Sequence, residues 1–247
     1  MPGLQDPQAS GPVGSERWTP VVTAVLGRIV HTISWHWLLL FNTAIGIFAF
    51  LPILAPVLMV TGHARWGRFI YAFLGLSCHQ LPERSFFLFG PRLAYALNQL
   101  EHLLGPSVPL RYIGDAATGF KMAVCERDVA IYLAMFLAGM VFALVRHRLQ
   151  PLSWKGFVVL CVPMAVDGLG QLFGFWESTP WSRVVTGSLF GIAWMWLAYP
   201  HVETAMRLVS KTLESGKQHG SAAESQLRAS TIHKRSHPGM GWLLSQR

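Results

Sequence analysis

The sequence is poor in charged residues and in cysteine. Charged side chains make up only 13% of its 247 residues, about half of the roughly 25% found in a soluble globular domain. Three cysteines are too few for a disulfide scaffold. The chain has no nucleotide-binding glycine loop, no HExxH zinc motif and no Ser-His-Asp order, so we expect no nucleotide cofactor. These shortages argue against a soluble domain and against a disulfide-rich secreted protein.

Apolar and aromatic residues are abundant instead. The chain is 52% hydrophobic with a mean hydropathy of +0.38, and it contains ten Trp and fifteen Phe. Aromatic side chains collect at the interfaces of a bilayer. The predicted fold class is therefore all-α: a polytopic membrane helical bundle of about five transmembrane helices plus interfacial amphipathic helices. We expect no cleavable signal peptide, since the first long apolar run starts late.

Apolar runs and polar stretches set the predicted boundaries. Residues 1–17, rich in Pro, Gly and Ser, are expected to be disordered, and 18–36 to form an interfacial helix. A transmembrane helical domain is predicted over 37–201, with a surface helix at about 91–104. The basic segment 202–247 is predicted to be a cytoplasmic tail, mostly disordered after 215. The five predicted spans are 37–60, 66–81, 129–145, 155–175 and 184–199.

The distribution of Lys and Arg predicts the orientation and the partners. The loop 146–155 and the tail are rich in basic residues, which favours the cytoplasmic side of a prokaryotic inner membrane for both. Much of the net charge of +8 lies in the tail. This pattern predicts contact with anionic lipid rather than with nucleic acid. Further partners expected of such a chain are other membrane proteins or further copies of itself.

Three polar clusters border or interrupt the apolar runs. The first extends from Cys78 to Ser85 (CHQLPERS), and the second from Cys125 to Asp128 (CERD) directly before the third span. The third begins with Asp167 and Gln171 in the fourth span and continues with Arg183 and Thr186 at the start of the fifth. The predicted topology places all three clusters at a similar depth, toward the outer face.

The same clusters resemble a family of bacterial and archaeal membrane proteins, the domain of unknown function 2085. Its opening motif, Cys-His-Gln-x-Pro-Glu-Arg-Ser-Phe, is matched from Cys78 to Phe86. Its second motif, roughly Cys-x-Arg-Cys-x-Gly-Ile-Tyr, is matched at Cys, Arg, Ile and Tyr from Cys125 to Tyr132. The third, Asp-Gly and Gln followed by Arg-x-x-Thr-Gly, falls between Asp167 and Gly187. The resemblance covers about residues 40–200 and implies a membrane fold but no activity.

Two features depart from the family pattern. Asp128 stands where the family has its second Cys, and Ala130 where it has Gly. The connection between the first two motifs is also longer than in the family, and the extra part is the predicted surface helix.

Thiolate, imidazole and carboxylate ligands predict a metal site, with zinc as the best candidate. Cys78, His79, Cys125 and Asp128 could supply the four ligands of a tetrahedral site, structural or catalytic. Neighbouring residues on a helix point about 100° apart, so Cys78 and His79 can both bind only if the helix ends there. The alternatives are a disulfide between Cys78 and Cys125 and two free, buried thiols.

The remaining polar residues have two interpretations each. Asp167 inside a span could bind a cation or relay protons, or it could be held by Gln171 or Arg183. Arg84 and Arg127 could bind Asp167, Glu83 or an anion such as a lipid phosphate, or extend to the headgroups. A b-type haem is not expected, because the apolar stretches lack histidines on facing spans. The functions left open besides metal binding are a proton- or cation-translocating subunit and an accessory subunit of a larger complex.

Overall fold

The computed structural model describes residues 19–146 and 148–236 of the chain. Helices dominate, at 72% of the structure. The α-helices are α1 (Thr19–Val60), α2 (Ala64–Leu74), α3 (Leu97–Leu104), α4 (Glu126–Val145), α5 (Trp154–Leu172) and α6 (Pro180–Ser236). The strands are β1 (Phe87–Leu88), β2 (Gly114–Asp115) and β3 (Gly119–Lys121), and a 3-10 helix covers Pro82–Arg84.

Three helices of the described residues are long and apolar enough to cross a membrane. They are Ala24–Val60 within α1, the whole of α4 and the whole of α5. Only 28%, 28% and 17% of their most apolar windows are buried inside the protein. The exposed apolar faces need a non-aqueous surrounding, which lipid supplies. The predicted membrane helical fold is confirmed in this coarse form, whereas the predicted number of about five spans is not.

The first helix corrects the predicted boundary at residue 37. Residues 18–36 were expected to form a separate interfacial helix, yet α1 continues from Thr19 to Val60. Polar residues in its first half do not interrupt it, because side chains such as Ser34 donate to the carbonyl four residues earlier (Val30, 2.8 Å). Pro52 and Pro56 lie inside the helix. A change from polar to apolar composition does not end a helix when no residue breaks the backbone pattern.

The second helix is too short for the span predicted at 66–81. α2 has 11 residues, which rise about 16 Å, against about 30 Å for the hydrocarbon core. After Leu74 the turn tightens to bonds three residues back: the N–H of Leu76 donates to the carbonyl of Phe73 (3.2 Å) and that of Ser77 to the carbonyl of Leu74 (3.1 Å). The chain then leaves the helix axis, so the Cys-His-Gln stretch lies in a loop.

A small antiparallel sheet corrects the all-α expectation. β3 is the central strand: Phe87 of β1 pairs with Lys121, and Gly114 of β2 pairs with Phe120. The surface helix predicted at 91–104 is reduced to α3, which begins after Ala96. Its residue Leu100 is fully buried against Phe87 and Tyr95. Short strands of two or three residues carry too little alternation to be recognised in a sequence.

The last helix extends well beyond the predicted fifth span. α6 runs from Pro180 to Ser236 and includes Pro200, so the tail is helical where disorder was predicted after 215. Helix-forming residues such as Ala, Glu, Lys, Leu and Gln are frequent there, and their propensity does not depend on hydropathy. The predicted disorder of 1–17 and the end of the tail lie outside the described residues.

The chain forms two compact units. One consists of the described parts of Met1–Trp37 and Thr204–Arg247, where Nε2 of His31 lies 3.9 Å from Oε1 of Glu214. The other is Leu38–Glu203. Its core is made of buried residues from α1, α2, the segment after β3 and α4, namely Ala55, Ile70, Tyr71, Leu74, Met122, Ala123, Val124 and Val129. All three polar clusters belong to this second unit.

Candidate functional site

A buried glutamine fixes the loop that carries Cys78. Gln80 is 3% exposed and has a positive φ of 55°, which is uncommon for a residue other than glycine. Its amide nitrogen donates to the carbonyl of Tyr71 (2.8 Å) and to that of Ala123 (2.7 Å). One side chain therefore ties the end of α2 to the segment that leads into α4. This tie brings the first polar cluster beside the second.

Cys78, Cys125 and Asp128 form a compact group, which we call the thiol site. Their sulfur and carboxylate oxygen atoms all lie within 4.8 Å of one another. Both cysteines are free and partly buried, and Cys125 is the N-cap residue of α4. The backbone N–H of Cys125 donates to Sγ of Cys78 at 3.3 Å. His79 is exposed and is not a member of this group.

Hydrogen bonds favour the thiolate at Cys78. The thiol of Cys125 donates to it, as do the backbone N–H groups of Gln80 and Cys125, and together they lower the pKa of Cys78. The pKa of Cys125 is raised in turn, by its donation to Cys78 and by burial. The thiol site thus has one sulfur prepared for the anionic form, which is the form that binds metal.

A buried lysine borders the thiol site. Lys121 is 0% exposed, and its ammonium group donates to the backbone carbonyl of Gln80. Its own carbonyl accepts from the hydroxyl of Tyr71. Burial lowers the pKa of Lys121 to about 8, although the charges of Cys78 and Glu83 oppose this effect. Glu83 is half-buried in the 3-10 helix.

Two ion pairs join the three helices α4, α5 and α6. Arg127 of α4 pairs with Asp167 of α5, and Asp167 also accepts from the hydroxyl of Ser182 at 3.2 Å. Arg183 of α6 pairs with Glu126 of α4, with 3.0 Å between Nη1 and Oε2. The side chains of Arg183 and Glu126 are only 6% and 1% exposed. Asp167 is therefore held by Arg127, which one sequence interpretation named as its partner, and not by Arg183, which another named.

Gln171 links a third arginine to these pairs. When its amide oxygen faces the guanidinium groups, it accepts from Nη2 of Arg84 (3.2 Å) and from Nη2 of Arg183 (3.1 Å). The amide nitrogen then faces the hydroxyl of Ser178 at 3.4 Å. We call Arg84, Arg127 and Arg183 the arginine cluster. Thr186 lies one turn beyond Arg183 and donates instead to the carbonyl of Ser182 at 2.7 Å, so it serves its own helix.

Glycines allow the close approach of α4 and α6 beneath this cluster. A Cβ atom added to Gly187 would lie 2.8 Å from the carbonyl oxygen of Arg127, and one added to Gly191 would lie 2.7 Å from that of Ile131. Such distances permit no side chain without a shift of the helix. The backbone contact fixes the height of Arg183 relative to Glu126. The Gly-x-x-x-Gly pattern of 187–191 therefore reports a real helix contact.

Comparison with known proteins supports the resemblance that the motifs indicate. Residues 116–197 match the family model described as "Predicted membrane protein (DUF2085)". The resemblance is thereby confirmed, and the chain is a membrane protein by this match and by its apolar helices. "Uncharacterized protein MJ1492" of Methanocaldococcus jannaschii is 29% identical over 134 residues, which are 53% of this chain and 67% of the relative. No solved structure matches the chain significantly.

The segment matched by DUF2085 contains most of the site but not all of it. Cys125, Asp128, Asp167 and the ion-pair partners on α4 and α6 lie within 116–197. Cys78 and Arg84 lie before it, in the motif from which the resemblance was first drawn. The loop after α2 thus completes a site whose helical part lies in the segment that the family model matches.

Three residues that position the site were not singled out in the sequence. In the sequence, Glu126 stands out only as part of its cluster and Gln80 only as part of its motif, and Lys121 belongs to neither. A charged residue flanked by the apolar stretch Met122-Ala123-Val124 is a signal for burial with a partner. That signal could have identified Lys121, whereas nothing in the sequence shows which carbonyls Gln80 bridges.

Proposed function

We propose that this chain is a membrane protein that binds a divalent metal ion, with zinc preferred, at Cys78, Cys125 and Asp128. The observation that carries the proposal is the convergence of their three ligand atoms within 4.8 Å. Ligand atoms around a tetrahedral zinc ion are about 3.5–4 Å apart, given Zn–S and Zn–O distances of about 2.3 and 2.0 Å. The group therefore needs little rearrangement to surround an ion.

The donor set suits zinc and allows either a structural or a catalytic role. Two sulfur ligands favour a soft or borderline ion over Mg²⁺ or Ca²⁺, and the carboxylate of Asp128 makes the set harder than an all-cysteine one. Three protein ligands leave a fourth position for water or a substrate, as in catalytic zinc sites. His79 would have to turn inward to close the site, so we assign it no ligand role.

Metal content of the purified full-length protein tests this proposal. We expect about one zinc ion per chain, lost in Cys78→Ser and in Cys125→Ser and weakened in Asp128→Asn. Cys161→Ser, the same change within α5, is the matched control and should keep the metal. His79→Ala should also keep it. Asp128→Cys, which introduces the residue typical of the family resemblance, should bind zinc more tightly.

Free thiols counted under denaturing conditions separate the remaining interpretations. Without added reductant, a metal-free protein that reveals only one reactive thiol would have a disulfide between Cys78 and Cys125, and the metal proposal would fail. Three reactive thiols without metal would also reject it. Zinc that survives in both cysteine variants would place the ion elsewhere.

The membrane and the orientation that we propose for the chain follow from its charge distribution. We propose a prokaryotic inner membrane with the C-terminus in the cytoplasm, because the basic residues concentrate in the 146–155 loop and the tail. Anionic lipid at the tail, and contacts with other membrane proteins or copies of the chain, are part of the same proposal. A protease-protection assay on membrane vesicles that digests the tail from the periplasmic side would reject this orientation.

The other functions considered have weaker support. A proton or cation pathway through Asp167 requires a carboxylate that can release its partner, yet Asp167 is paired with Arg127 and bonded to Ser182. An accessory subunit would copurify with stoichiometric partners from gently solubilised membranes. No feature of the site favours either function over metal binding.

A further inference from the structure

The arginine cluster has one guanidinium group more than it has carboxylate partners. Arg127 pairs with Asp167. Arg183 pairs with Glu126. Among the described residues, no carboxylate lies within ion-pair distance of Arg84, although its side chain is half-buried. The charge of Arg84 is therefore the one that the cluster leaves without a charged partner.

A neutral oxygen lies where two of these guanidinium groups converge. The amide oxygen of Gln171 is 3.2 Å from Nη2 of Arg84 and 3.1 Å from Nη2 of Arg183. The two arginines belong to different elements, the 3-10 helix and α6, so the fold itself directs both groups to one point. That point holds an oxygen atom, and an anionic oxygen there would bind two guanidinium groups more strongly than an amide oxygen does.

The same edge of each guanidinium group has a second donor that the protein leaves unused. The Nε–H and one Nη2–H of an arginine point in the same direction, which is why the group binds carboxylates and phosphates with paired bonds. The Nε atoms of Arg84 and Arg183 are buried without a hydrogen-bond partner in the protein. The side chain of Arg183 is only 6% exposed, and a buried donor without an acceptor is costly. One amide oxygen cannot complete both edges, whereas the several oxygens of a phosphate group can.

Helix ends add to the positive field of the cluster. Arg127 is the second residue of α4 and Arg183 the fourth of α6, so two helix N-termini, the positive ends of the helix dipoles, lie at the cluster. The C-terminus of α5 lies there as well, since Gln171 is its second-last residue. Two positive helix ends against one negative end leave a positive balance, which favours an anion.

We propose that the arginine cluster binds one phosphate group between Arg84 and Arg183, with a phosphate oxygen in the place of the Gln171 amide oxygen. The side chain of Gln171 is half-buried at the end of α5, and its contact with the hydroxyl of Ser178 is long, at 3.4 Å, so it can turn outward. The phosphate group is that of the free ion or of a lipid headgroup, because both present the same oxygens. This site is separate from the thiol site and does not depend on the proposed metal binding.

Binding of inorganic phosphate to the full-length protein tests this proposal. The protein is purified in a neutral detergent, freed of lipid and phosphate, and dialysed against labelled phosphate at constant ionic strength, which keeps charge screening unchanged. We expect saturable binding of one phosphate per chain. Arg84→Gln should weaken it by about tenfold or more, because charged hydrogen bonds are lost. Arg92→Gln, the same change at an exposed arginine, should leave phosphate binding unchanged.

A variant with its own anion tests the same position and keeps every arginine. Gln171→Glu places a carboxylate between Arg84 and Arg183, so it should bind phosphate at least about tenfold less tightly than the natural chain. Phosphate should raise the unfolding temperature of the natural chain, as any ligand of the folded state does, but not that of Gln171→Glu. Gln150→Glu adds the same charge at an exposed position in the loop 146–155 and should respond to phosphate like the natural chain.

Competition identifies the source of the phosphate group. Phosphatidylglycerol that displaces labelled phosphate at a lower concentration than glycerol phosphate would assign the site to a lipid headgroup. Equal displacement by the two would assign it to a free anion, and either result supports the proposal.

Three results would overturn the phosphate site. Saturable binding of neither phosphate nor phosphatidylglycerol would mean that water alone occupies the cluster. Unchanged binding in Arg84→Gln would place the anion elsewhere on the protein. If that variant does not fold, Gln171→Glu decides: phosphate that binds it as tightly as the natural chain, and stabilises it equally, does not bind at the position of the Gln171 oxygen.

Discussion

The buried ion pair between Arg183 and Glu126 should respond very differently to the loss of one partner and to the loss of both. In Arg183→Met, the carboxylate of Glu126 stays in a position where its side chain is 1% exposed. Its Oε1 already has no hydrogen-bond partner, and the substitution removes the donor to Oε2 as well. We expect the free energy of unfolding to fall by about 3–5 kcal/mol.

The double variant Glu126→Leu with Arg183→Met should recover most of this loss. It replaces both charges by apolar groups of similar size, and such replacements of buried ion pairs are often neutral or stabilising. We expect it within about 1 kcal/mol of the natural chain, which implies a coupling energy of several kcal/mol between the two positions.

Denaturant titration in detergent micelles, followed by tryptophan fluorescence, measures these differences. Arg92→Met is the matched control at an exposed arginine and should change stability by less than about 0.5 kcal/mol. A loss below about 1 kcal/mol in Arg183→Met would refute the reasoning, since Glu126 would then be solvated without its partner. A double variant as unstable as the sum of the two single variants would refute it equally.

Three further perturbations have defined outcomes. Gly187→Ala should destabilise the protein by about 1–3 kcal/mol in the same titration, because its Cβ would lie 2.8 Å from a backbone oxygen of α4. Gly216→Ala is the control: its Cβ would meet nothing within 4 Å, so it should not destabilise the protein. Equal effects of the two substitutions would contradict the close contact between α4 and α6. Gln80→Ala should lower the free energy of unfolding by about 2 kcal/mol, since two buried carbonyls lose their donor. A loss below about 0.5 kcal/mol would show that contacts other than those of Gln80 hold the loop. The pKa of Lys121 is about 8 in the folded chain against 10.5 in the unfolded one, so the unfolded state binds more protons between these pH values. The free energy of unfolding should therefore rise from pH 8 to 10.5 by up to about 3 kcal/mol. Lys121→Met should flatten this rise, and an unchanged slope in that variant would contradict the lowered pKa of Lys121.

The helical class and the polar clusters could be predicted because they depend on composition and on local motifs. Low charge, abundant aromatic residues and long apolar runs predict membrane helices, and the three apolar helices of the structure agree with this. The positions of Cys78, Cys125 and Asp128 in their motifs also predicted a common neighbourhood. The sequence does not predict which charges pair. Arg127 and Arg183 could each pair with Glu126 or Asp167, and the choice depends on the relative heights of α4, α5 and α6.

The failed predictions share a cause. The span at 66–81 was inferred from continuous hydropathy, yet α2 ends at Leu74 through backbone bonds that hydropathy does not report. The short strands around Lys121 depend on pairing between residues distant in sequence. In both cases backbone hydrogen bonds decide the structure, and the hydropathy of the sequence does not report them.

The ion pairs also constrain how the protein can be synthesised in a membrane. Glu126 is separated from Arg183 by 57 positions, and Arg127 from Asp167 by 40. A ribosome therefore completes α4, with Glu126 and Arg127, well before either partner exists. The nascent helix must wait with its first turn in water or beside the insertion machinery until α5 and then α6 arrive. Assembly of this site is a late event that can proceed only after the third of these helices has left the ribosome.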